Sequence, residues 1–513
     1  MAAASSSPRP RGPVPKMESA TYALLRNTGW NLLGESAPAL AALIAIPILI
    51  RTLGTARFGV FTIMWTIFAS FSGFDLGLGS AVTKFIAERI AIDRRGEVRA
   101  IFWTSLAMTA AVGVAAAAGL AAASRWLTAS FLTIPPELRA ESRSAFLLLA
   151  LGLPLIITLT VLRGTLAAYQ RFDIINKARM PTGAFFFAGP LLVLLFSHSL
   201  LLLVAIQILG RAATWVAYFL CCIRLLPSSA APPHPRSAFI GSLLGFGGWV
   251  AVFNFSGSLL GYADRLIPAA LLPMTAVAWL ATAQEITIRA WFIPAAVMNV
   301  AMPALTEHLA VGADAARLFK RAIGLLFAVL FSFVLAVVIF ARYGLALWVD
   351  AEFARHAAGP LRLCAVGALL LNGIPAPGLA LATAAHRPDL VSKSRVAILF
   401  AYIAAVWALC KTYGVDGAAA AYALRFWGEG VAWLVYAGRL LPAASAWSRN
   451  MLIALVMLAG AMMMTPRLIS SLPVGLAFFL VVIALFAGCF WRAFLSAEDR
   501  RAVSGVILGW AKA

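Results

Sequence analysis

QRFDIINKAR at Gln170–Arg179 returns as HRPDLVSKSR at His386–Arg395, and this echo decides how the chain is read. Arg171/Arg387, Asp173/Asp389, Lys177/Lys393 and Arg179/Arg395 are identical at an offset of 216, while Ile174/Leu390 and Ile175/Val391 are conservative. RLLP at Arg224–Pro227 recurs at Arg439–Pro442, an offset of 215. SAVTKFIAE (Ser80–Glu88) is more faintly echoed by NVAMPALTE (Asn299–Glu307) at an offset of 219. Three matches in one order at nearly one spacing mark an internal duplication.

Each copy sits among long apolar stretches. Over 513 residues the chain is 62% apolar and only 12% charged, with mean hydropathy +0.91. Soluble domains carry about a quarter charged residues, so too little polar surface remains to cover a water-soluble fold of this length. Secreted disulfide scaffolds, disordered chains and soluble enzymes are excluded. Taking about 20 residues per span, the apolar runs resolve into about fourteen spans. They lie near 28–50, 58–83, 100–124, 144–162, 180–197, 200–223, 240–263, 275–305, 318–341, 358–381, 394–410, 415–438, 450–466 and 472–491.

The duplication encloses six spans, an even number, so both copies enter the membrane in one direction. The chain therefore reads as an all-α polytopic membrane protein. Two parallel-repeat six-helix bundles are followed by a C-terminal helix pair, a plan that in secondary transporters places the substrate between the halves. The expected divisions are a disordered cytoplasmic tail over 1–19, bundles over 20–235 and 236–445, and two added helices with a short tail over 446–513. The late first span, with no small-residue cleavage site after a short core, argues against a signal peptide.

The net charge of +21 would suggest nucleic acid in a soluble protein. Here it reports orientation. With a cytoplasmic N-terminus, 27 of the 41 Lys and Arg fall in inside segments, 11 in outside loops and three within spans. Positive residues gather on the cytoplasmic side, so both termini are expected inside and no nucleic-acid partner is implied. The five cysteines show no metal or redox spacing and read as small buried hydrophobes. The five histidines form no metal cluster, and no cofactor motif appears.

The opening run, NTGWNLLGESAPALAALIAIPILIRTLGTARFGVFTIMWTIFASFSGFDLGLGSAVTKFIAE, resembles the start of bacterial polysaccharide exporters. These are the oligosaccharide-lipid flippases of the superfamily that also contains multidrug and toxin extrusion transporters and lipid II flippases. The resemblance rests on Asn27, on Pro47-x-x-x-Arg51-x-Leu53-Gly54-x-x-x-Phe58-Gly59 and on Phe74-Asp75-Leu76-Gly77-Leu78-Gly79, and is densest over residues 27–90. It implies a bacterial cytoplasmic-membrane protein whose two bundles enclose a central cavity opening alternately to either side. The implied substrate is an undecaprenyl-diphosphate-linked oligosaccharide destined for surface polysaccharide such as lipopolysaccharide. Membrane lipids and polysaccharide assembly enzymes would be its surroundings. From their chemistry, Gly54 and Gly59 permit a tight turn. Gly77 and Gly79 are small enough for close helix approach, and Asp75 pins the inner end of the second span.

Charges within spans are costly and face bundle interiors or aqueous cavities. Arg211, Arg289 and Arg425 lie deep in spans six, eight and twelve, and Arg211 and Arg425 are near-equivalent by the repeat. Guanidinium forks suit phosphate oxygens, so these three are the candidate substrate-binding residues. Glu285 and Glu429 each lie four residues from an arginine and can pair with it on one helix face. Glu35, Glu285 and Glu429 are the carboxylates placed to carry a coupling ion, H+ or Na+, and Glu35 can equally pair with an arginine such as Arg289. Asp264 and Arg265 are expected to snorkel to the interface. Pro38, Pro47, Pro268, Pro294, Pro375 and Pro377 interrupt spans. Three other readings remain: a cation antiporter or a lipid II flippase on the same fold, and a membrane polysaccharide polymerase or ligase. The last needs a sizeable catalytic outer loop, and the longest, Arg125–Arg143, lacks His and Asn.

Overall fold

The computed structural model describes residues 38–71, 77–227, 239–310, 314–385, 387–469 and 471–493, and these contain helices and connecting turns but no strand. In a bilayer every backbone polar group must be satisfied within the segment, which an uninterrupted helix does. The first half comprises α1 (Pro38–Leu53), α2 (Thr55–Ser70), α3 (Leu78–Ala91), α4 (Arg95–Trp126), α5 (Pro136–Ala168), α6 (Phe172–Leu194) and α7 (Leu200–Leu225). The second comprises α8 (Ile240–Leu271), α9 (Met274–Ala290), α10 (Phe292–Ala310), α11 (Ala315–Trp348), α12 (Ala351–Ala365), α13 (Pro377–Ala384) and α14 (Pro388–Leu440). Two more helices follow, α15 (Ser445–Leu468) and α16 (Leu472–Ala493).

Among the described residues two rods are broken and one is double. α2 and α3 both fall within the second span of the sequence, α9 and α10 form one rod interrupted at Trp291, and α12 and α13 another joined through wide turns over Val366–Gly373, just ahead of Pro375 and Pro377. α14 holds two rods meeting at Gly414, which sits at φ 60°. So grouped, the described helices match the fourteen spans of the sequence one for one. Among the described residues, nine helical stretches are by themselves long and apolar enough to cross a membrane. Their exteriors carry exposed Leu, Phe, Val and Met, as lipid contact requires.

The duplication is visible in backbone geometry. The Arg171 N–H donates to the Leu166 carbonyl and the Arg387 N–H to the Ala382 carbonyl, both at 2.9 Å and at equivalent places in the two copies. Each bond closes the end of one rod, and the next rod starts one residue later, at Phe172 and at Pro388. In the first copy the Arg171 fork lies on Asp173, Nε–Oδ1 2.9 Å and Nη2–Oδ2 3.0 Å, holding that carboxyl down to about 2.

Within the first half α5 packs against α3, α4 and α7, burying Phe102, Leu162 and Tyr218. In the second, α11, α12 and α14 enclose Leu330, Leu369 and Leu434. α15 and α16 lie on α11, where Phe486 meets Phe331 at 4.1 Å between ring centroids. The halves meet through α2 against α8 and α9, and α3 against α8.

Three expectations change here. Only Gly54 serves the turn, at φ +79°, a conformation that costs an L side chain energy. Gly59 serves packing instead: a Cβ there would run into the Met274 backbone at the start of α9. Gly77 is required for its conformation, φ +66° at the start of α3, rather than only for its size. Asp75 lies outside the described residues. Of the cysteines, Cys222, Cys364 and Cys410 are buried, whereas Cys221 is half-buried and Cys489 exposed. Gly59→Val should overpack the α2–α9 contact and cost about 1–3 kcal/mol, lowering the unfolding temperature in detergent. Gly119→Ala, where nothing lies within 4 Å of the added Cβ, is the control; equal behaviour of the two variants would refute the packing role.

Candidate functional site

A cavity of about 340 Å3 lies between the halves. Its first-half wall is aromatic, with Phe58, Phe61 and Trp65 from α2 and Phe186 and Phe187 from α6. Trp65 and Phe186 approach to 4.1 Å between centroids, and Phe186 and Phe187 to 4.5 Å edge to face. The second-half wall is polar, with Asp264 and Arg265 from α8 and Gln284, Glu285 and Arg289 from α9.

The polar wall centres on Glu285. Arg289, one turn along α9, gives it Nη2–Oε1 2.7 Å and Nε–Oε1 3.0 Å. Arg265 approaches the other carboxylate oxygen at 3.6 Å, donates from Nε to Gln284 Oε1 at 3.0 Å, and reaches Thr66 Oγ1 in the opposite half at 3.4 Å. Two guanidinium groups thus converge on one carboxylate. Arg289 also lies over the Phe187 ring, 4.7 Å from its centroid, a favourable cation–π arrangement.

Behind this wall lies a second cluster. Arg425 Nη1 meets Asp264 Oδ2 at 2.6 Å and the Leu260 carbonyl at 3.1 Å, and its Nε is 3.5 Å from Glu429 Oε1. The Tyr402 hydroxyl donates to the other oxygen of Asp264. Asp264 and Glu429 are both buried. This cluster ties α8 to both arms of α14.

The three intramembrane arginines therefore part company. Arg289 faces the cavity. Arg425 does not line it and is held by two carboxylates, which departs from its expected role as a substrate contact. Arg211 also lies outside the lining, over the Trp65 ring with its guanidinium 5.2 Å from the ring centroid and no acidic partner among the described residues. Asp264 and Arg265 do not snorkel: both contribute to the cavity wall, and Asp264 is also buried in the ion cluster. The missed signal was length, because α8 continues six residues past Arg265 to Leu271, about 9 Å deeper into the helix at 1.5 Å per residue. Glu285 is committed to Arg289 and Arg265, and Glu429 to Arg425. Glu35 lies outside the described residues. No group of side chains suited to a metal ion occurs among the described residues.

At one end the halves are clasped. Arg51, in the last turn of α1, donates to three carbonyls at the end of α11: Val349 at 2.5 Å, Trp348 at 3.2 Å and Leu347 at 3.3 Å. Trp348 returns a bond from Nε1 to the Leu43 carbonyl at 2.8 Å. Thr133 adds a backbone bond to Ala269 at 3.1 Å.

Two helical halves around a cavity with a charged wall define a membrane-transporter fold, and solved structures agree. The fold is similar to the lipid II flippase MurJ in an inward closed conformation, with TM-score 0.69 and 10% identity over 91% of this chain and 98% of that one. It is also similar to an inward-facing multidrug resistance MATE transporter of the MOP superfamily, with TM-score 0.63 and 16% identity over 83% of this chain and 99% of that one. Residues 24–308 match the family described as polysaccharide biosynthesis protein, more than half of the chain, and the protein belongs to that family. A Shigella flexneri protein named "Putative O-antigen transporter" is 23% identical over 402 residues, 78% of this chain and 94% of its relative.

Proposed function

We propose that this protein is a flippase that moves a polyprenyl-diphosphate-linked oligosaccharide across the cytoplasmic membrane by alternating access, for surface polysaccharide synthesis. The observation that carries this reading is the convergence of Arg265 and Arg289 on Glu285 in the cavity wall. The two guanidinium groups share the one carboxylate of Glu285, while Arg425 is held by Asp264 and Glu429 behind the wall. A diphosphate offers more acceptor oxygens than Glu285 and binds guanidinium forks bidentately. The head displaces Glu285 from the two arginines, the sugars lie along the aromatic wall, and the prenyl tail stays in lipid. Transport needs no covalent step from this chain, and both termini face the cytoplasm by the charge bias. Polysaccharide assembly enzymes supply and consume the substrate.

Reconstitution tests the reading. Liposomes holding the full-length protein should make a lipid-linked oligosaccharide accessible to a glycan-binding reagent on the far side. Efflux of a cationic drug with no glycan movement would overturn it in favour of the antiporter.

The released Glu285, together with Glu35, provides carboxylates for a coupling H+ or Na+. Once phosphate occupies the arginines, Glu285 has lost its counter-charges, and an intramembrane carboxylate without a partner is costly until a cation joins it. Glu35→Gln should abolish gradient-driven exchange while leaving downhill movement of the lipid. Unchanged coupling would reduce Glu35 to a structural role.

A further inference from the structure

A second basic recess lies apart from the central cavity, at the clasped end. It is a groove of about 520 Å3 between α11 and α12, lined by Arg342, Tyr343, Ala346, Ala351, Ala354 and Arg355. That volume falls within the range of small-molecule sites, about 300–1,000 Å3. The arginines come from different helices and face one space, and neither has an ion pair or hydrogen bond to a partner among the described residues. Among the described residues neither nearby acid pairs with them: Asp350 accepts from the Phe353 amide at 2.7 Å, capping α12, and neither it nor Glu352 makes an ion pair with either arginine. Arg362, whose Nε donates to the Val338 carbonyl at 2.9 Å, adds a third positive charge on the same two helices. Alanines form the floor, leaving room beside the guanidinium groups. Leu347, one residue beyond the groove, is almost fully exposed, as a side chain in contact with acyl chains would be.

The pair is also duplicated. Arg342 and Arg355 have counterparts in Arg125 and Arg139, at offsets of 217 and 216. Both pairs fall in outside segments, where the charge bias leaves few positive residues. Arg139 Nε is already engaged by the Ile134 carbonyl at 3.2 Å, so the second-half pair is the freer of the two.

We infer that the α11–α12 groove binds the phosphate of a lipid headgroup, with Arg342 and Arg355 as its ligands and the acyl chains lying along α11. The inference goes beyond the flippase reading and requires only that the chain sit in a bilayer, so its failure and the failure of transport are separable. The adjoining residues 347–349 are those Arg51 holds, so an occupied groove touches the segment that joins the halves.

Native mass spectrometry of the full-length protein, released from nanodiscs of phosphatidylcholine with added phosphatidylglycerol, tests this. Wild type should retain phosphatidylglycerol in preference to diacylglycerol of the same chains. R342A/R355A should retain about tenfold less, since each lost charge-assisted bond is a strong one. R342K/R355K should recover part of the retention, because charge persists without the fork. Equal retention by R342A/R355A and wild type, or equal retention of diacylglycerol, overturns the proposal. Release of the lipid by millimolar inorganic phosphate would assign the groove to a free anion and overturn the lipid assignment. Retention in its presence supports a headgroup anchored by its chains.

Discussion

Asp264→Ala is expected to destabilise the protein by about 3–5 kcal/mol, the cost of stranding a buried charge whose partner has been removed. The substitution leaves the Arg425 guanidinium with Glu429 at 3.5 Å and the Leu260 carbonyl, and leaves the Tyr402 hydroxyl without its acceptor. A lowered unfolding temperature in detergent, with less protein recovered from membranes, is the expected readout. Asp264→Ala combined with Arg425→Met and Glu429→Met should regain most of the loss, because replacing all three members of the buried cluster by apolar groups strands no charge. Wild-type stability of the single variant, or no recovery in the triple, would show that the cluster does not hold α8 to α14.

Arg289→Ala should act in the opposite manner, sparing stability and abolishing function. The residue is part-exposed to the cavity, and its removal leaves Glu285 with Arg265 at 3.6 Å. Two charge-assisted contacts to phosphate disappear, each worth about 1.5–3 kcal/mol. Export should therefore fall by roughly a hundredfold or more, at about tenfold per 1.4 kcal/mol, with the protein still present in the membrane. Arg289→Lys should fall between, since an ammonium keeps the charge and loses the fork. Normal surface polysaccharide in Arg289→Ala cells would remove Arg289 from the substrate site.

The span order and the duplication were legible because they are written in local signals: apolar runs of span length, and loop residues such as Arg171, Asp173 and Lys177 that recur at one offset. The Arg289–Glu285 and Arg425–Glu429 pairs were legible for the same reason, lying four residues apart on single helices. What remained hidden depends on contacts distant in the chain. Nothing local says that Asp264 meets Arg425, 161 residues later, or that Arg211 lies over Trp65 rather than lining the cavity. Arg265 was misplaced because hydropathy ends a span where a charge occurs, whereas the helix continues past it. Gly59 and Gly77 were both recognised as necessary, but their reasons differ: one is set by a neighbouring backbone, the other by its own dihedral angle.

The clasp at Arg51 has an uneven genetic footprint. In the Arg51 contact one side is a single side chain; the other is three main-chain carbonyls at a helix end, which every amino acid supplies. Substitutions at 347–349 that preserve the helix end keep the acceptors, whereas any change at position 51 removes the donor fork. Relatives are therefore free to drift at 347 and 349, while the burden of inheritance falls on Arg51 in α1 and on Trp348, whose indole returns a bond to the Leu43 carbonyl.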